Sequence, residues 1–261
     1  MEEEEDLFTT EEWVRLLKEQ ADITREYRHS LYERVDIKSK KRILDVGCGT
    51  GVITADIASL TDGYITGIDI DGKKLEPATP FVSDPRITLV EGDALQLPFK
   101  DSTFDLVVSN VVLIHVKDQQ KAVDEMARVT CKKGIVLAAL EPDYAGGLCY
   151  PESDVHNLSL QYLKEMHVDV TTGRKLKYFF RKAGLKTEIG QYTNSLDVIN
   201  KDSEEQIEEF LKEFWSTKKV LLKVGWTGEQ IEEYKQEEIE LLRDNLIFSF
   251  LPAFYAIGKK V

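Results

Sequence analysis

The chain has 261 residues, 42% hydrophobic and 31% charged, a composition typical of a globular protein with one substantial core. It carries 47 acidic and 34 basic residues, and the net charge of −13 disfavours sequence-independent nucleic-acid binding without excluding a local basic patch. No apolar run approaches the ~18 residues of a membrane span. The acidic start at residues 1–6 is unlike a signal peptide, so we expect a cytoplasmic protein.

Two helices are predicted before the first strand. Thr9 followed by Glu12 is a capping-box pattern, and it starts a short helix whose apolar face begins with Trp13. A second helix is predicted over residues 22–35, where apolar side chains recur at four-residue spacing.

A glycine-rich turn follows the first predicted strand. Residues 43–46 are mostly apolar and predict a short buried strand, and Gly47, Gly49 and Gly51 then occupy every second position. A helical pattern starts directly after them. Glycine adopts positive φ angles without steric penalty and lets a ligand approach bare backbone, so this strand–turn–helix unit predicts a ligand site.

An acidic residue ends the second predicted strand, over residues 64–68. Asp69 lies 24 positions after Asp45, which lies near the end of the first predicted strand. A carboxylate at the tip of the neighbouring parallel strand is well placed to accept hydrogen bonds from both hydroxyls of a ribose.

The following segment alternates strands with helices. A helix over residues 72–82 is weakened by prolines, strands are predicted at 87–90, 104–108 and 135–140, and a helix is predicted over 119–129. This alternation favours a doubly wound parallel sheet with right-handed crossovers.

The C-terminal half interrupts that pattern. The predicted elements are an insertion over 144–170 with a helix from 154 to 168, a helix over 171–183 ended by Gly184, a strand over 185–192, a helical hairpin over 203–244 and a final strand over 250–258.

The three cysteines, Cys48, Cys131 and Cys149, are not spaced as a zinc or redox pair, so no metal site is predicted.

Four sequence blocks resemble those of the class I S-adenosylmethionine-dependent methyltransferases, in the family's order and spacing. They are residues 45–51, residues 67–69, residues 92–99, and residues 104–110 followed by His115. Within that family, the sequence looks most similar to the ubiquinone/menaquinone C-methyltransferase-like group, which acts on small molecules.

This resemblance implies an α/β fold with a doubly wound, seven-stranded, mostly parallel sheet, whose final strand is antiparallel beside the sixth. It implies a single domain over residues 1–261. Its parts would be an N-terminal helical lid (1–40), a cofactor-binding core (41–141), an insertion and helix on the substrate side (142–184), and the last two strands with the inserted hairpin 203–244 (185–261).

The resemblance also implies S-adenosylmethionine as the cofactor and assigns residues to it. Asp69 would bind the ribose, Asp93 and Ala94 the adenine, and Arg28 the methionine carboxylate. The full predicted set is Tyr27, Arg28, Asp45, Gly47, Cys48, Gly49, Gly51, Asp69, Ile70, Asp93, Ala94, Ser109 and Asn110. Purely structural alternatives remain open for Tyr27 as a core residue, Arg28 as a solvated residue and Asp93 as a turn residue.

Methyl transfer needs a protein base only if the nucleophile must lose a proton. The candidates at the carboxyl ends of the fourth and fifth strands are His115, Glu141, Asp143 and Tyr144. Capping, packing and turn formation remain alternative roles for these side chains.

The acceptor is expected to be a small molecule. Residues 109–112 read Ser-Asn-Val-Val, whereas methyltransferases of adenine amino groups or glutamine amides usually carry Asn/Asp-Pro-Pro-aromatic there. Nucleic-acid and membrane partners are therefore not expected, and a homodimer is left open. Alternatives are a methyltransferase of RNA or protein, a nicotinamide-dependent oxidoreductase, and a module that only binds the cofactor.

Overall fold

The structure is a computed structural model that describes residues 7–75, 82–192 and 201–261. The strands are β1 (Arg42–Val46), β2 (Tyr64–Asp69), β3 (Ile87–Glu91), β4 (Phe104–Ser109), β5 (Thr130–Pro142), β6 (Leu148–Tyr150), β7 (Lys186–Gln191), β8 (Phe248–Phe250) and β9 (Ala253–Lys259). The helices are α1 (Thr10–Ile23), α2 (Arg25–Arg34), α3 (Val52–Leu60), α4 (Gly72–Leu75), α5 (Gln119–Val129), α6 (Asp154–Glu165), α7 (Thr172–Lys182), α8 (Ser203–Lys223) and α9 (Gly228–Arg243).

The chain forms two compact units. The larger, termed the core unit, comprises the described residues of 8–142, 172–191 and 253–261. The smaller, termed the insert unit, comprises the described residues of 143–171 and 192–252.

The core unit is built on a seven-stranded sheet in the order β3-β2-β1-β4-β5-β9-β7. β9 runs antiparallel to both β5 and β7, while the other neighbouring strands are parallel. This confirms the predicted doubly wound, mostly parallel sheet with its final strand antiparallel beside the sixth predicted strand, which is β7.

Helices cover both faces of this sheet because its central strands are apolar on both sides. On one face, Met126 of α5 and Leu176 and Phe180 of α7 pack against Leu44 and Val107. On the other face, a second cluster joins α2 and α3 to the same strands. It includes Leu31, Tyr32, Ile43, Ile57, Val108 and Leu137.

The insert unit has a small aromatic core of its own. Phe214 of α8 and Ile231 of α9 are buried together with Val155 of α6, and Trp226 and Tyr234 pack against them. The predicted hairpin over 203–244 is confirmed as α8 and α9, and Thr227 and Gln230 form the capping box at the start of α9. None of the described helices is long and apolar enough to span a membrane.

Several predicted boundaries differ from the structure. The first helix is longer than expected and ends at Ile23, so the second begins only at Arg25. The helix predicted over 154–168 ends at Glu165. Of the helix predicted over 72–82, the structure describes Gly72–Leu75 as helical, and residues 76–81 lie outside the described residues.

The short ribbon formed by β6 and β8 was not predicted from the sequence. Leu148 pairs with Phe250 and Tyr150 with Phe248 in an antiparallel arrangement. β6 lies in the predicted insertion over 144–170, for which the sequence predicts only a helix, and Phe250 is predicted to start the last strand, which begins at Ala253. Strands of three residues are too short to show the period-two alternation from which strands are predicted.

Candidate functional site

The glycine turn between β1 and α3 has the backbone that its sequence predicts. Gly47, Gly49 and Gly51 have φ angles of 71°, 51° and 73°. The Gly47 amide donates to Ile68 O at 2.7 Å, which ties the turn to the end of β2. α3 starts directly after Gly51, so the amides at its N-terminus face the carboxyl edge of the sheet.

Two side chains pack directly on this turn. A Cβ built on Gly47 would lie 2.5 Å from one methyl carbon of Val112, and one built on Gly49 would lie 3.4 Å from a methyl carbon of Leu17. There is therefore no room for a side chain at Gly47. Leu17 belongs to α1, so α1 lies against the turn, while the role of residues 1–40 as a lid remains a prediction.

Asp69 lies at the end of β2 beside the glycine turn. Its Oδ2 accepts from the Gly49 amide at 2.8 Å and its Oδ1 from the Asp71 amide at 3.0 Å. The side chain remains partly exposed. Each carboxylate oxygen can accept a further hydrogen bond, so the geometry fits the predicted partner of two ribose hydroxyls. The next residue, Ile70, is 69% exposed.

Asp45 lies underneath the turn and is almost completely buried. Its Oδ2 accepts from the Thr54 hydroxyl at 2.6 Å, which fastens α3 to β1. Burial raises the pKa of the Asp45 carboxyl to about 7, although the Thr54 hydrogen bond lowers it in part. Asp45 therefore supports the shape of the turn from below, and a direct contact with a cofactor remains a prediction.

Cys48 packs inside the turn. Its sulfur would lie 2.9 Å from a Cβ built on Gly67, so the small side chain fits against β2. Burial raises the pKa of the Cys48 thiol far above its usual value, which keeps the thiol protonated and unreactive at neutral pH.

Asp93 and Ala94 follow β3 and are both partly buried. Asp93 Oδ1 accepts from the Leu95 amide at 2.8 Å, which is the turn role that the sequence had left open. Adenine binding by these residues remains a prediction beside that role.

Ser109 and Asn110 end β4 with unsatisfied polar atoms. Ser109 Oγ and Asn110 Oδ1 are buried and make no hydrogen bond among the described residues. Leaving a buried polar atom unpaired costs ~1–3 kcal/mol, so a polar partner for these two atoms would be stabilising. A cofactor contact by the two residues remains a prediction.

Arg28 is used differently from the predicted carboxylate ligand. Its guanidinium is fully buried and donates to Ala21 O at 2.7 Å, to Thr24 Oγ1 at 2.5 Å and to Asp56 Oδ2 at 2.9 Å. These bonds fasten α2 to α3. The alternative of a solvated Arg28 is wrong for this structure, and binding of a methionine carboxylate remains a prediction that would require rearrangement of these bonds.

Tyr27 is half-buried, and its ring centroid lies 6.3 Å from that of Tyr255 in the core. This position fits the alternative of a packing role.

His115 and Glu141 are the two catalytic candidates in the core unit. His115 ends a short 3₁₀ turn over Leu113–His115. Desolvation of its ring, with a smaller effect of the Lys74 charge, lowers the pKa of His115, so its imidazole is neutral at pH 7 and able to accept a proton. The residue still keeps an exposed surface.

Glu141 is fully buried near the end of β5. Its Oε1 accepts from the amides of Val112 and Leu113 at 3.1 and 3.0 Å. Burial raises the pKa of the Glu141 carboxyl to about 7, and the backbone hydrogen bonds oppose the shift.

Asp143 and Tyr144 belong to the insert unit. The Asp143 side chain is buried, and its amide donates to Pro252 O at 2.8 Å. Their predicted catalytic roles remain predictions.

Three side chains that shape the turn were not among the predicted site residues: Leu17, Thr54 and Val112. Thr54 has a weak sequence signal, since it lies three residues after the last glycine of the turn, one helical turn into α3. Leu17 belongs to the apolar face of α1. Val112 has no sequence signal, because only the chain reversal after β4 brings it to Gly47.

Comparisons with known proteins agree with this geometry. Residues 44–138 match the model of the methyltransferase domain family. An uncharacterised methyltransferase of Schizosaccharomyces pombe is 32% identical over 161 residues, which cover 57% of this chain and 58% of the relative. A demethylmenaquinone methyltransferase of Roseiflexus sp. is 34% identical over 120 residues, which cover 46% of this chain and 50% of the relative.

A solved structure shows the same fold. Phosphoethanolamine N-methyltransferase 2 of Haemonchus contortus, in complex with phosphomonomethylethanolamine and S-adenosylhomocysteine, superposes with a TM-score of 0.64 at 18% identity. The match covers 90% of this chain and 52% of that chain. The chain thus spans about half the length of the relatives that it matches.

We expect Gly47→Ala to destabilise the protein more than Gly184→Ala. Both glycines have positive φ, 71° and 78°, but a Cβ on Gly184 meets nothing within 4 Å, whereas one on Gly47 collides with Val112. Gly184→Ala should cost ~1 kcal/mol from backbone strain alone, and Gly47→Ala ~2 kcal/mol more from overpacking. Urea unfolding measures both, and equal costs would contradict the close packing of Val112.

We expect ionisation of Glu141 to destabilise the protein as pH rises towards neutrality. A carboxyl whose pKa is raised on folding binds more protons in the folded state, so its stabilising effect is complete below the unfolded pKa and is lost as pH rises through about 7. Relative to Glu141→Gln, the wild-type free energy of unfolding should fall by ~2 kcal/mol between about pH 5.5 and pH 8. The free energy of unfolding of both proteins is measured by urea titration across this pH range. If it changes with pH equally in both, the pKa of Glu141 is not raised on folding and the prediction is wrong.

Proposed function

We propose that this chain, whose residues 44–138 match the methyltransferase domain family, transfers a methyl group from S-adenosylmethionine to a small-molecule acceptor. The observation that carries the proposal is the bare glycine turn with Asp69 beside it, inside the segment that matches the family. The name of the Roseiflexus relative, a demethylmenaquinone methyltransferase, supports a small-molecule acceptor.

The residues of the core unit fit such a cofactor. Gly47 and Gly49 carry no side chains of their own, although Val112 and Leu17 pack on one side of the turn, and Asp69 retains acceptor capacity for a ribose. Ser109 Oγ and Asn110 Oδ1 are buried atoms that still need polar partners. Asp93 and Ala94 would contact the adenine.

When bound, the cofactor supplies a methyl group on a positively charged sulfur, which is already activated for displacement. The work of the protein is to align the acceptor atom with that methyl group and to exclude competing water. Such alignment can supply roughly 7–11 kcal/mol of the barrier. If the acceptor atom carries a proton, neutral His115 would accept it, with Asp143 and Tyr144 as further candidates.

A titration with S-adenosylhomocysteine tests the cofactor proposal. We expect wild type to bind, and Asp69→Ala to weaken binding by ~1–3 kcal/mol, because the ribose hydroxyls lose a charged acceptor. Asp71→Ala is the matched control, since the Asp71 carboxylate is a neighbouring one that accepts only from the Lys73 amide among the described residues. Failure of well-folded wild type to bind, or binding of NAD instead, would sink the proposal.

One observation favours a second candidate, a macromolecular acceptor such as RNA. Residues 171–187 contain six basic residues and no acidic one. Within them, Arg174, Lys177, Tyr178, Arg181 and Lys182 line an open concavity of about 500 Å³ on α7. Tyr178 is 60% exposed, and an exposed ring among cations is the pattern of single-stranded nucleic-acid sites.

Fluorescence anisotropy with a single-stranded oligonucleotide separates the two acceptor classes. If the acceptor is a small molecule, the wild-type protein should bind the oligonucleotide no more tightly than the Lys177→Glu/Arg181→Glu variant does. Tight, salt-sensitive binding that this variant loses would favour the macromolecular acceptor. Lys218→Glu/Lys223→Glu, exposed on α8, carries the same charge change on a different helix and is the control.

A further inference from the structure

The chain reverses direction sharply just after β4, and the reversal is strained. Val111 has a φ angle of 54°, in the left-handed region. A β-branched residue is disfavoured there and persists only where surrounding contacts hold it. The Val111 amide donates to Leu140 O at 2.8 Å, which gives this reversal one fixed point on β5.

Glu141 supplies the next fixed points. Its Oε1 accepts from the amides of Val112 and Leu113, which directly follow the strained residue. A β-bulge in the pairing of β5 with β9 lies between Ala138 and Glu141, and such an extra residue redirects the side chains that follow it. Glu141 Oε2 makes no hydrogen bond among the described residues, so the carboxylate is anchored through the backbone of this turn.

The side chain held in this way rests on the glycine turn. A Cβ on Gly47 would lie 2.5 and 2.7 Å from the two methyl carbons of Val112, so these methyl groups already touch the glycine backbone. Gly47 and Cys48 both donate to Ile68 O, at 2.7 and 3.0 Å. Any outward movement of Gly47 would therefore have to displace Val112.

We propose that Glu141 is a positioning residue, which keeps the glycine turn in its ligand-binding shape by holding Val112 against Gly47. Its carboxylate acts through the backbone of residues 112–113 and does not touch the reacting atoms. The mechanical coupling stands on the apo geometry alone, and only its consequence for cofactor affinity rests on the proposed function.

Hydrogen–deuterium exchange of the ligand-free protein tests the coupling. In Glu141→Ala, we expect amides in segments 110–115 and 46–51 to exchange about tenfold faster than in wild type. Glu141→Gln keeps an acceptor oxygen for the two amides and should stay within about twofold of wild type. Glu188→Ala, which removes an exposed glutamate on β7, is the matched control and should leave both segments unchanged.

The same measurement can overturn the proposal. If exchange in Glu141→Ala is faster in segment 110–115 but unchanged in segment 46–51, then Val112 does not couple the position of this backbone to the glycine turn. Behaviour of Glu141→Gln like Glu141→Ala would show that charge, not hydrogen-bond geometry, is what matters.

A second variant, Val112→Ala, tests the same coupling if Glu141→Ala fails to fold. Val112→Ala removes the methyl groups while leaving both amides on Glu141, so exchange should increase at 46–51 and stay slow at 112–113. An unchanged glycine turn in Val112→Ala would also overturn the proposal.

Binding of S-adenosylhomocysteine gives a second readout. The dissociation constant should rise about tenfold in Glu141→Ala and Val112→Ala and by less than about threefold in Glu141→Gln. A wild type that does not bind would remove the proposed function but would leave the exchange experiment to decide the role of Glu141. Normal affinity in both alanine variants, with a binding wild type, would overturn the positioning role.

Discussion

The core unit depends on one backbone constraint, the positive φ angles of Gly47, Gly49 and Gly51. The turn that they form is fixed from three directions. Asp69 accepts from the Gly49 amide, Asp45 holds the following helix through Thr54, and Val112 lies on Gly47. Because no side chain projects from the glycines, the turn can be this tightly supported on one side and still offer bare backbone to a ligand on the other.

Three carboxylates surround the turn, and burial divides their roles. Asp45 and Glu141 are buried and bond to groups of the protein, and burial raises the pKa of each to about 7. Asp69 stays partly exposed and retains acceptor capacity. Desolvation is the main cause of the raised pKa of Asp45, and the charge of Asp69 adds to it.

The sheet shows where local patterns suffice and where they fail. Apolar runs such as residues 43–46 and 104–108 predicted the parallel strands, and the placement of β9 came with the family resemblance. The ribbon of β6 and β8 was missed, since its strands are three residues each and their partners lie far apart in the chain. The family resemblance assigns Arg28 to the methionine carboxylate, and the sequence alone does not show that its guanidinium is buried in an ion pair with Asp56 of α3.

The sequence by itself determined the alternation of strands and helices in residues 43–140, the glycine turn and the acidic residue at the tip of the next strand. Those features depend on periodicity and on the unique conformational freedom of glycine, which are local properties. Only the tertiary structure decided that Val112 rests on Gly47, that Glu141 holds the backbone of residues 112–113, and that Asp45 is a buried support. These depend on a chain reversal and on desolvation, and both arise only when distant segments pack together.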